Sequence, residues 1–98
     1  MTIQKKEEGN KTIVILEGRL DTTTAPDLEK ALVDVIGKTS ELEFDFEKLE
    51  YVSSAGLRVL LNTHKQISKA GTMSICHVNE VIMEVFEVTG FIDILTIK

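Results

Sequence analysis

The chain has 98 residues, 43% of them hydrophobic and 28% charged, and its eleven basic against sixteen acidic residues leave a formal net charge of −5. That length suits one domain, residues 1–98, able to bury a core without disulfide or metal staples, and the composition excludes a disordered chain. The acidic balance, without interleaved basic and aromatic residues, argues against nucleic acid as a partner. No apolar run approaches the roughly 18 residues of a membrane span, and Met1 to Lys6 lacks the apolar stretch of a signal peptide, so a cytoplasmic chain without direct membrane insertion is expected.

In chain order, Thr2 to Glu7 reads as an edge strand whose lysines and glutamates suit exposure. Gly9-Asn10 turns it into the β-branched run Thr12 to Leu16, a buried strand. From Thr24 the period becomes helical. Thr24 stands where a cap belongs, Asp27 follows three residues on, and Pro26 has its torsion preset for a first turn; Leu28, Ala31, Leu32 and Val35 then form a stripe that stops at Gly37. Leu42, Phe44 and Phe46 alternate with Glu43 and Asp45, giving a strand with one apolar and one acidic face. The run from Glu41 to Glu50 reads as that solvated face followed by a turn.

The second helix begins at Ser53-Ser54. Leu57, Leu60, Leu61, His64 and Ile67 or Ser68 lie on one stripe, Arg58, Asn62, Lys65 and Lys69 on the other, and Ala70-Gly71 ends it. Thr72 to His77 is a strand, Asn79 caps a third helix from Glu80 to Thr89 closed by Gly90, and Phe91 to Ile97 is a last strand. The order ββαβαβαβ implies parallel neighbours joined by right-handed crossovers. A sheet covered on both faces would show continuous apolar strands rather than acidic alternation. The fold class is therefore α/β, with a mixed sheet and helices packed mainly on one face.

Catalytic constellations are scarce. No Gly-x-Ser-x-Gly elbow surrounds Ser54, and no glycine-rich phosphate loop ends in Lys. His64 falls on an apolar stripe and reads as a core or boundary residue; His77 stands near a strand end. Cys76 is the single cysteine, which excludes an intrachain disulfide, and it reads as a small buried hydrophobe on a strand rather than a metal ligand. No enzyme activity, cofactor or metal is expected.

The segment Tyr51-Val52-Ser53-Ser54-Ala55-Gly56-Leu57-Arg58 stands apart. Ser53 or Ser54 has an ordinary use as an N-cap, worth ~1 kcal/mol. A helix N-terminus also tolerates phosphate best, because free N–H groups and the helix dipole both favour negative charge. Ala55 and Gly56 are small enough to let another molecule approach the backbone. On the third helix, Ile82, Val85, Phe86 and Thr89 are expected to face the core and Val81, Met83 and Val88 to stay outside, with the flexible Met83 suited to a binding surface.

This segment resembles the signature of the STAS family, Asp-Ser-(Ser/Thr/Ala)-Gly-Leu preceded by a hydrophobic pair, whose small members are anti-sigma factor antagonists. Tyr51-Val52 is similar to the pair, Ser54 to the phosphoacceptor, and Gly56-Leu57 to the end. Gly18-Arg19-Leu20-Asp21 resembles the family's Gly-x-Leu-Asp, and Val88-Thr89-Gly90-Phe91 its Ser/Thr-Gly-Leu. Together these span essentially the whole chain. The resemblance implies a STAS-type sheet and a protein that, unphosphorylated, binds an anti-sigma factor with serine-kinase activity and so frees a sigma factor. Phosphorylation of Ser54 would end binding, and a serine phosphatase would restore it. It also implies that Asp21 and the loop from Thr22 to Thr24 lie beside Ser54; with Ser53, Ala55, Gly56, Arg58 and Met83 these form the expected partner surface. One departure is Ser53, where the family commonly has aspartate, which makes Ser53 an alternative acceptor. A STAS module without a switch, in a stress-signalling or lipid-transport complex, would carry the same fold.

Overall fold

The computed structural model describes every residue from Met1 to Lys98. Strands β1 (Thr2–Glu8) and β2 (Lys11–Leu20) form an antiparallel hairpin. Then come α1 (Ala25–Ile36), β3 (Glu41–Val52), α2 (Ser54–Ile67), β4 (Thr72–Cys76), α3 (Glu80–Thr89) and a short β5 (Thr96–Ile97). The sheet order is β1-β2-β3-β4-β5, with β2 to β5 mutually parallel. Every crossover steps one strand in the same direction, so right-handed connections deliver all three helices to one face. That face carries Val14 and Leu16 of β2, Leu42, Phe44 and Phe46 of β3, and Met73 and Ile75 of β4, all buried in one core with residues of each helix. The other face carries Glu41, Glu43, Asp45 and Cys76 and is covered by no helix. The expected mixed sheet with helices on one side is what the chain forms. No helix is long and apolar enough to cross a membrane.

Several local expectations differ. β3 does not turn after Phe46 but runs on to Val52. Its pairing with β2 shifts register twice, between Ile15 and Glu17 and between Gly18 and Arg19, and each shift places an extra residue in β3. Such bulges reset the inside–outside parity, so the inward positions continue at Leu49 and Val52 and the alternation disappears from the sequence. The last strand is shorter than Phe91 to Ile97: Phe91–Asp93 form a 3₁₀ turn and only Thr96 and Ile97 pair with β4. The buried stripe of α2 is rotated toward α1, with Val59 and Thr63 inside and Leu61 and His64 only half-buried. Thr63 pairs its hydroxyl with the Val59 carbonyl at 2.7 Å, which lets a polar residue sit there. Cys76 lies half-buried on the helix-free face, outside the core, because Met73 and Ile75 take the inward positions of β4.

Candidate functional site

Leu20 and Val52 are register partners at the ends of two parallel strands. The chain leaving β2 and the chain leaving β3 therefore emerge side by side, at the carboxyl edge where α/β sheets place their functional loops. Ser53 N–H ties the two exits together by donating to the Leu20 carbonyl at 2.8 Å.

The two serines have separate positions. Ser53 is extended, with φ −89° and ψ 176°, and its Oγ accepts from the Gly56 N–H at 3.4 Å. That long contact is the N-cap, and it leaves the next residue out of the capping role. Ser54 is the first helical residue and is exposed. A group on its hydroxyl would stand at the positive end of a helix of 14 residues.

The neighbouring loop is organised by Asp21. One carboxylate oxygen accepts from the Thr23 hydroxyl at 2.7 Å, the Thr23 N–H at 3.0 Å and the Thr24 N–H at 3.2 Å. The Thr23 hydroxyl bond, working against some desolvation and aided by the two backbone N–H groups, holds the Asp21 carboxyl below its ordinary value of 3.8. Thr24 does not cap α1 with its side chain; its hydroxyl donates to the Arg19 carbonyl at 2.8 Å and accepts from the Asp21 N–H. The loop is thus closed on itself, with Thr22 and Thr23 at its exposed tip. Arg19 reaches to 4.0 Å of the Asp21 carboxylate and lies 4.8 Å over the Tyr51 ring, so the β2 and β3 exits are also joined by a cation–π contact.

Gly56 is buried rather than outward-facing. A Cβ there would lie 2.6 Å from Leu20 Cγ and 3.0 Å from the Leu20 carbonyl oxygen. The close approach that this glycine permits is therefore that of α2 to the end of β2.

Ser54 and Arg58 rim a shallow depression with Leu57, Leu61, Thr89 and Phe91. Ser54, Leu57, Arg58 and Leu61 fall at i, i+3, i+4 and i+7 on one helix face. That spacing is present in the sequence, where Leu61 reads as a core residue beside Leu57; in the fold Leu61 is half-buried at the rim. Thr89 also belongs to a second hollow on α3, lined by Val81, Glu84, Val85 and Val88. Val81 is 55% and Val88 81% exposed, so an apolar surface extends from Ser54 along α3. Ile82 and Phe86 point inward, and Met83 lies on the opposite flank of that buried stripe, half-buried. The α3 part of this surface is therefore made by Val81, Val85 and Val88, linked to the Ser54 depression through Thr89, with Met83 on the other flank of the helix.

The STAS domain family model matches residues 2–98. A Bordetella bronchiseptica protein provisionally named the anti-sigma factor antagonist BtrV is 34% identical over 87 residues, which cover 87% of this chain and 75% of that protein. The crystal structure of an anti-sigma factor antagonist from Mycobacterium paratuberculosis superposes with a TM-score of 0.90 at 23% identity, covering 98% of this chain and 83% of that one. The Bacillus cell fate determinant SpoIIAA, solved in its phosphorylated form, superposes with a TM-score of 0.77 at 18% identity, covering 99% and 91%.

Proposed function

Because the chain belongs to the STAS domain family, we propose that it is an anti-sigma factor antagonist of the cytoplasm, controlled at Ser54. In this role it acts by binding rather than by turnover. Unmodified, it docks an anti-sigma factor through Ser54, Ala55, Arg58, the Asp21 to Thr23 loop and the apolar side of α3, and the sigma factor is released. The observation that carries this reading is the division of labour at the start of α2: Ser53 takes the cap, and Ser54 stands exposed at the rim of an apolar depression.

In the switching step the Ser54 hydroxyl oxygen attacks the γ-phosphorus of ATP held by the partner kinase. The bond to ADP breaks, and the hydroxyl proton passes to a base or to water. The product adds about −1.5 to −2 charges and three acceptor oxygens at the helix start. α2 itself accommodates that charge through its dipole and free N–H groups, with Arg58 one turn along. A partner seated on the depression meets both bulk and the cost of desolvating the phosphate. A serine phosphatase reverses the step by transferring the phosphoryl group to water.

Incubation with a serine-kinase anti-sigma factor and ATP, followed by peptide mass spectrometry, tests the assignment. A single phosphoryl group on Ser54, absent in Ser54→Ala, is expected. Modification at Ser53 would move the switch by one residue, and binding without any modification would leave a STAS interaction module that lacks a switch.

A further inference from the structure

The helix-free face of the sheet holds a cluster that the switch does not use. Asp45 and Cys76 are register partners on β3 and β4, so their side chains leave the same face side by side. His77 follows directly, and a regular extended continuation would send its ring to the helix side. Instead His77 adopts φ 58°, the one non-glycine residue in the left-handed region, and its ring folds back over the open face. Nδ1 then lies 2.9 Å from the Asp45 carboxylate and 3.6 Å from the Cys76 sulfur. One donor atom from each of the three residues falls within 4.8 Å of the others.

We propose that Asp45, Cys76 and His77 form a binding site for a divalent transition-metal ion of the zinc class. A thiolate, an imidazole and a carboxylate match the borderline preference of zinc and cobalt, whereas magnesium and calcium take oxygen ligands. Around a tetrahedral zinc with bonds of about 2.0–2.3 Å, donor atoms stand roughly 3.3–3.6 Å apart. The sulfur–nitrogen spacing already satisfies this, and the nitrogen–oxygen pair needs to open by about half an ångström as the ion replaces their hydrogen bond. The imidazole proton then resides on Nε2, and the thiol proton leaves to solvent on coordination. Asp45 is pre-oriented by accepting from the Glu47 N–H at 3.0 Å. Glu43, another carboxylate on this face, is engaged by Lys98 at 2.9 Å and Lys11 at 3.7 Å and stays outside the ligand set. Three ligands on an exposed edge leave a fourth position for water or for a donor from another molecule.

Zinc titration of the full chain against a chromophoric chelator tests the site, with cobalt as the optical reporter. One ion per chain at micromolar affinity or tighter is expected, undisturbed by millimolar magnesium, with a thiolate-to-cobalt charge-transfer band. His77→Asn, which retains tolerance of the left-handed backbone, and Cys76→Ser should each weaken zinc by at least ~10-fold, and Cys76→Ser should abolish the band. No binding, zinc affinity unchanged in both variants, or a cobalt complex of the wild-type chain without the band would overturn the proposal. The wild-type cobalt spectrum decides the matter even if a variant fails to fold.

Discussion

At the start of α2 two adjacent hydroxyls are held differently, and the difference comes from one residue of phase. Ser53 keeps an extended backbone and points its oxygen at the Gly56 N–H, whereas Ser54 already has a helical position and faces solvent. The sequence located this pair but could not divide the capping role between its members, because either serine satisfies the same propensity. Asp21 is a similar case: its expected place beside Ser54 rests on resemblance, while its grip on Thr23 and Thr24 required coordinates. That grip has a pH signature. A carboxyl held below 3.8 in the folded chain stabilises the loop fully above that ordinary value, and the contribution is lost as pH falls through the lower folded value. Thr23→Val removes the largest cause, so the Asp21 carboxyl should titrate closer to 3.8 and the loop should loosen at higher pH. Carboxyl-carbon NMR titration of the two proteins checks this; superimposable Asp21 curves would show that the hydroxyl bond does not matter in solution.

At the scale of elements, periodicity carried most of the fold. The two-residue period of Leu42, Phe44 and Phe46 and the helical stripe of α1 both came through, because each buries one face against a single partner layer. Periodicity fails where the ladder is irregular: the two register shifts in β3 erase the pattern between Phe46 and Val52, so the sequence there looks like a turn although the chain is a strand. It fails again on α2, where α1 packs from the side and draws Val59 and Thr63 inward. Gly56 could not be understood from sequence at all, since its neighbour Leu20 is 36 positions away in the chain. Gly56→Ala should destabilise the chain by ~1–3 kcal/mol, the usual cost of forcing an extra carbon into a packed site. Urea unfolding should show a lower midpoint with an unchanged slope. A change within about 0.5 kcal/mol would mean that the Leu20 side chain swings clear and that α2 is not locked to β2 through this contact.

For the whole molecule, the topology separates two working surfaces. Three same-direction crossovers place every helix on one side, so the apolar hollow beside Ser54 and the exposed valines of α3 lie on the helix side, next to the polar carboxyl-edge loops. The acidic face with Asp45, Cys76 and His77 is left open. The helix side was legible in outline; its apolar patch was not, because Leu61, Val85 and Phe91 look like core residues until the hollow between α2 and the end of α3, and its neighbour along α3, leave them at the rim. A switch built on this arrangement acts locally, by changing what can sit on the depression while the sheet and core stay as they are. Titration calorimetry of an anti-sigma factor with unmodified chain, Ser54→Ala and stoichiometrically phosphorylated Ser54 protein tests that claim most directly, with circular dichroism as the check on fold. Unmodified chain and Ser54→Ala should bind alike, and the phosphorylated protein at least ~10-fold more weakly, a penalty of ~1.4 kcal/mol, with an unchanged spectrum. Equal affinities for all three would contradict control at Ser54.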